Sequence, residues 1–328
     1  MQTFFRDGFM LLSWLWCLLF LVFLDDQIGM LAYIAAGLLL GFGYFFCWRS
    51  HLSSIRWIST LVLLAICISV FATMVPRHNR EWGLAQSKLP KIEFSANQSF
   101  VTISNIRSNR HNDPNRVEYF DATIELAKIR AVWFGVDRFT SFQPVAHTFL
   151  SFELESGEHP VDFLAFSIET RREKDELNYS PLRGMFNNYE TIYVIADEED
   201  VLSVRSNIRE NVVQLYPVAA SAEQAKIMFV DLLERAKTIE RQPEFYNTIT
   251  NNCTNNIVYH ANKCLDEPIS FWQRGVVFPG YADWLAYQHG LIATDLDFQD
   301  AREEFRVDQR VKEYDGNGNF SDFIRGRE

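Results

Sequence analysis

Hydrophobic positions along this chain follow two regimes. Up to residue 76 they run almost unbroken. Phe9 to Leu24 is 16 residues without a charge, Ile28 to Trp48 is 21, and Trp57 to Val75 is 19. A bilayer-spanning helix needs about 20 apolar residues, because an unpaired backbone group in hydrocarbon is costly. The pattern therefore predicts three membrane spans over residues 1–76, the first borrowing Phe4 and Phe5 by snorkelling Arg6. A cleaved signal peptide fits less well: no small-x-small site follows the first run, and the next run starts three residues later. The loop Asp25-Asp26-Gln27 has no basic residue, whereas Arg6 precedes the first span and Arg49 and Arg56 border the third. The positive-inside rule then puts residue 77 onward on the outer side. Gly37 and Gly41 would allow close helix contact, but no charge lies inside a run, so an anchor is expected rather than an ion path.

Past a polar linker at residues 77–94, the hydrophobic positions come in shorter stretches. Phe100–Ile106 and Val117–Leu126 read as strands, separated by a loop rich in Asn and Asp. Val145–Leu154 and Phe163–Thr170 form a hairpin pattern around a Gly- and Pro-containing turn. Further strands are expected at 191–196, 201–204 and 212–216. Ser221 and Gln224 make a capping box ahead of Ala225, Met228, Leu232 and Ala236, which recur at helical spacing. A second helix should start just after Asn252. Residues 95–300 are expected to form one α+β domain, and 301–328 a loose polar tail.

Composition narrows the function classes. The chain has 328 residues, with 31 Lys and Arg against 42 Asp and Glu, a formal net charge of -11. The charged residues of 1–76 balance, so the excess is carried by the rest. Nucleic-acid binding needs a positive surface and is disfavoured. Five cysteines in this length are no disulfide framework. No cofactor is expected, and metal motifs are missing: there is no H-E-x-x-H and no C-x-x-C, and the sequence around Asp315 lacks the closing Glu of a calcium loop.

Thiol chemistry remains. It needs a cysteine of lowered pKa and a base to take its proton. Cys253 and Cys264 are the cysteines outside the expected spans. Cys253 follows Asn252, a residue type that caps helices, so it would sit in the first turn, where amides and the helix dipole favour a thiolate and an oxyanion. Cys264 is 11 residues on, about 16 Å along a helix, too far to bridge. Among six histidines of the outer region, His147 lies in a strand, which fixes its direction. His159 sits in a turn, and His260 is about 10 Å up the helix from Cys253. The returning strand of the hairpin brings Ser167 or Glu169 beside His147, and Glu169 is preferred as orienting carboxylate.

Four segments, in order, carry a family resemblance: Ala146-His147-Thr148-Phe149-Leu150-Ser151-Phe152, Phe166 to Lys174, Tyr189 to Val194, and Phe245 to Thr254 with its Asn-Asn-Cys-Thr. They resemble the bacterial domain family that forms the N-terminal periplasmic part of the lipoprotein N-acyltransferase Lnb, over about residues 95 to 265. The resemblance implies a permuted papain/NlpC-like thiol fold in the periplasm; together with the three expected spans it gives a multi-pass inner-membrane protein. It implies Cys253 as nucleophile and His147 as base. Glu169 would orient the ring, and Asn252 and Tyr246 would support the oxyanion. Acyl transfer through a cysteine thioester is the expected reaction, with membrane lipid as donor partner and a lipoprotein as acceptor. A cysteine peptidase or amidase acting on cell-wall peptides uses the same pair, and a non-catalytic envelope module is the other alternative.

Overall fold

The computed structural model describes residues 2–23, 37, 53–111, 113, 115–155, 157, 161–174, 176 and 179–327. It divides into two compact units. One comprises Met1–Arg77, Asn178–Tyr189 and Phe245–Thr248; the other comprises His78–Leu177, Glu190–Glu244 and Ile249–Glu328.

In the first unit, α1 (Gln2–Val22) packs against α2 (Ser53–Thr73). Cys17, Phe20, Leu63 and Cys67 are buried between them. Trp14 Nε1 donates to Thr60 Oγ1 at 3.0 Å. Phe186 stacks on Phe23 at 6.0 Å and leans on Phe20 and Trp16.

The expectation of three membrane-spanning helices is overturned. Among the described residues no helix is long and apolar enough to cross a membrane. The reason is length. The charge-free part of α1 runs from Gly8 to Val22, about 22 Å, and that of α2 from Trp57 to Thr73, about 26 Å. Hydrocarbon is about 30 Å thick. The second expected span, 28–48, lies outside the described residues apart from Gly37. The multi-pass inner-membrane placement falls with the spans.

The second unit is α+β, built on one mixed sheet of eight strands: β1 (Lys91–Phe94), β2 (Phe100–Arg107), β3 (Tyr119–Glu125), β4 (Ile129–Arg138), β5 (His147–Leu154), β6 (Phe163–Arg171), β7 (Glu190–Asp197) and β8 (Val212–Pro217). Their order is β1-β2-β7-β6-β5-β4-β8, with β3 also on β2. The β2–β7 contact is parallel and the other pairings are antiparallel. Both faces are covered, which is why β7 is buried along all eight residues instead of alternating.

On one face lie α4 (Ala222–Arg241) and α5 (Cys253–Ala261), both closed by full capping boxes, Ser221 with Gln224 and Asn252 with Asn255. These helices bury Leu150, Phe152, Phe166, Ile168 and Tyr193. At the centre, Phe152, Phe166 and Phe229 meet edge to face at 5.2–5.3 Å. On the other face, α3 (Glu198–Ser203), a π-turn over Val204–Ile208 and the C-terminal helices cover Phe149, Ala165, Val194, Val213 and Leu215.

The 201–204 segment, expected as a strand, is thus helical. Asp197 caps it by accepting the amide of Asp200 at 2.8 Å, and three acidic residues fill its first turn. The C-terminal residues are not a loose tail. Phe320 and Ile324 are buried on one helix face, and the Arg325 guanidinium pairs with Glu198 at 2.6 Å.

Phe229 is fully buried in the aromatic centre. Its replacement by Ala is expected to lower the unfolding free energy by about 3–5 kcal/mol, and Phe229→Leu by less. Chemical denaturation of the full chain measures both.

Candidate functional site

The side chains expected to do chemistry are built onto two elements that meet at the start of β5. Thr148 Oγ1 and Thr254 Oγ1 are 3.0 Å apart. Their neighbours His147 and Cys253 are therefore brought to the same end of the sheet.

Cys253 is the first residue of α5 and is 2 % exposed. Asn252 caps the helix: its Oδ1 accepts the Asn255 amide at 2.8 Å, and Asn255 Oδ1 accepts the Asn252 amide at 3.1 Å. Asn256 Nδ2 donates to the Asn252 carbonyl at 2.8 Å. Among the described residues the amides of Cys253 and Thr254 donate to no acceptor. They are the open donors that every helix N-terminus leaves. The sulfur lies 3.9 Å from Thr254 Oγ1 and belongs to the apolar cluster that includes Leu150 and Phe166.

His147 opens β5. Strand alternation puts it on the opposite face from Thr148, with Phe149 and Ser151. Its Nε2 lies 2.8 Å from Ser167 Oγ, and Ser167 donates to Glu169 Oε1 at 2.7 Å. Arg205, 2 % exposed, reaches Ser167 at 3.1 Å, Glu169 at 3.2 Å and Asp137 at 3.2 Å. Its guanidinium sits 5.0 Å over the Phe149 ring. That ring lies flat on β4 because its partner there is Gly135, where a Cβ would come within 2.2 Å of it. Gln86 donates to the second oxygen of Glu169 at 3.1 Å.

The structure thus brings His147 and Glu169 together through Ser167. It does not bring His147 to Cys253: imidazole and sulfur occupy opposite faces of the sheet and share no hydrogen bond. Tyr246 belongs to the other compact unit, where its amide donates to the Tyr189 carbonyl at 2.8 Å and its ring meets Tyr179 edge-on. His260 is occupied by Asp231 at 2.7 Å and Tyr193 at 3.1 Å, and His159 lies outside the described residues. Cys264 reaches the Gln224 carbonyl from the far end of α5. Among the described residues no group of three or more His, Cys, Asp and Glu converges as metal ligands would.

Sequence reasoning named Ser167 only as a neighbour and missed Arg205 and Asp137. Arg205 is separated from Glu169 by 36 positions and from Asp137 by 68, so no local pattern announces them.

Charge follows from these contacts. Burial, reinforced by Arg205 and Arg209 and only partly opposed by Glu169, pushes His147 down to about 3. The ring is neutral. Burial acting alone would raise Glu169, but Arg205, His147, Arg107 and the Ser167 hydroxyl together hold it well below the usual carboxylate range. Both groups make the fold acid-sensitive. An unfolded chain protonates its histidines near 6.5 and its glutamates near 4.5, so the stability from His147 is full above 6.5 and lost as pH falls toward 3. The part from Glu169 is lost only below 4.5. Between pH 6.5 and 4.5, His147→Gln is therefore expected to flatten the fall in unfolding free energy by up to one proton, about 1.4 kcal/mol per pH unit. Urea titrations at several pH values measure it.

No match was found among curated proteins or among solved structures. The family described as the Lnb N-terminal periplasmic domain matches residues 115–284, just over half of the 328. The match spans the sheet from β3 onward, both central helices, and His147, Glu169 and Cys253. On that match, with the hairpin and the Asn-capped cysteine helix where the resemblance requires them, the chain belongs to the Lnb N-terminal periplasmic domain family.

Proposed function

We propose that this periplasmic-family domain performs acyl transfer through a thioester on Cys253. The observation that carries the reading is the α5 N-terminus: a thiol with two adjacent amides, its own and that of Thr254, that donate to no acceptor. Such amides suit the oxygen of a tetrahedral intermediate. The thiol would attack the acyl carbonyl, its proton passing to a base, and the leaving group would depart protonated. A second nucleophile would then take the acyl group and restore the thiol. His147 is the base in this reading, and Glu169 supports it at one remove. The two side chains must meet around the start of β5, where His147 is the first strand residue. The donor would be a membrane lipid and the acceptor a lipoprotein amine; a cell-wall peptide would use the same chemistry.

A second reading, a non-catalytic envelope module, is favoured by one observation. The sulfur is buried in an apolar cluster on the face opposite the imidazole.

The test is covalent capture. The full chain is incubated with phospholipid vesicles, and intact mass is recorded with and without hydroxylamine. A hydroxylamine-labile acyl mass on the wild type, absent from Cys253→Ala, supports transfer. A loss of at least a hundredfold in adduct formation is expected for His147→Ala. If neither lipid nor peptide thioester forms on the folded wild type, the module reading replaces it.

A further inference from the structure

Ser167 Oγ has three polar neighbours: His147 Nε2 at 2.8 Å, Glu169 Oε1 at 2.7 Å and an Arg205 nitrogen at 3.1 Å. A hydroxyl has one proton and two lone pairs. Arg205 can only donate. The Glu169 carboxylate, which also takes bonds from Arg205 and Gln86, can only accept. The serine proton is therefore committed to Glu169 and one lone pair to Arg205. What remains for His147 is the other lone pair, so Nε2 must carry the ring proton. Because a neutral imidazole has one proton, Nδ1 is left bare. Nδ1 has no partner among the described residues.

We propose that Ser167 is a positioning residue that sets the His147 tautomer, leaving Nδ1 as the ring atom able to accept a proton. This deepens the proposed thiol chemistry and rests on it only for the identity of the proton donor. Glu169 does not touch the ring; it acts by fixing which way the serine hydroxyl points. Glu169 of β6, Arg205 and Arg209 at the π-turn, and Asp137 of β4, opposite His147 in register, are the charged groups around the ring. None of them is within hydrogen-bond reach of an imidazole nitrogen. Tautomer and charge thus have separate controls, the serine for one and the surrounding ions for the other.

The experiment reads the ring directly. The full chain is labelled with ¹⁵N-histidine, and the His147 signals are identified by their loss in His147→Gln. The wild type should show a protonated Nε2 and a bare Nδ1 at neutral pH. Ser167→Ala removes one hydrogen bond, and the ratio of the two tautomers should fall about fivefold. Ser167→Thr should restore it. Glu169→Gln, which leaves the serine in place and can still accept its proton, should keep the wild-type tautomer. That variant decides the case if Ser167→Ala does not fold. A wild-type ring protonated on Nδ1, a ratio unmoved by Ser167→Ala, or a scrambled tautomer in Glu169→Gln would each overturn the assignment. Acyl capture is scored separately. A shifted tautomer without any thioester leaves this inference standing and removes the thiol chemistry.

Discussion

A guanidinium that is 2 % exposed, inside a sheet with both faces covered, must be surrounded by oxygens or it would unfold its surroundings. Arg205 is that group. Asp137 and Glu169 answer its charge from β4 and β6, and Phe149 supplies a ring beneath it from the strand between. Three neighbouring strands are thereby held in one register by a single cation. The strain-free seating of Phe149 on Gly135 lets the guanidinium come down onto the sheet at all. The serine, the histidine and the carboxylate expected to matter for chemistry are all satellites of this one charge. Removing it would leave the buried Asp137 carboxylate without its cation, a larger penalty than the loss of any one contact.

Local signals were legible in the sequence. The β5–β6 hairpin, the Ser221 capping box and the helix start after Asn252 depend on residues within a few positions of one another, and the structure places each there. Non-local facts were not. β4 went unseen because Arg130, Gly135, Asp137 and Arg138 break its apolar pattern. It is a strand because β5 and β8 flank it. The 201–204 stretch looked extended by its valines, yet Asp197 with Asp200 was a capping signal in plain view. In the C-terminal region, two apolar residues four apart, Phe320 and Ile324, were outweighed by the polar residues around them.

The candidate site shows the same division. Which residues share the hairpin could be read directly. Which face of the hairpin each occupies was harder to read, since β5 is largely buried on both sides and Thr148 and Phe149 blur the polar alternation that runs from Leu150 to Leu154. His147 was expected to meet α5; it instead meets Arg205's surroundings. The first and third apparent spans failed for a related reason. Length in residues was counted over the whole apolar run, whereas the described helices end at Val22 and Thr73 and lose their charge-free character one turn or more from their starts.

The Thr148–Thr254 bond has one more implication, and it is a matter of parity. Sliding β5 by one residue against its neighbours would turn His147 toward the cysteine helix. The same slide would rotate Leu150 and Phe152 into the ion cluster and expose Ser151 to the aromatic centre. Every strand position after the first votes against such a move. Any path joining imidazole to thiol must therefore be confined to backbone torsions ahead of Thr148, leaving the hydroxyl pair as the fixed pivot about which the first residue of the strand swings.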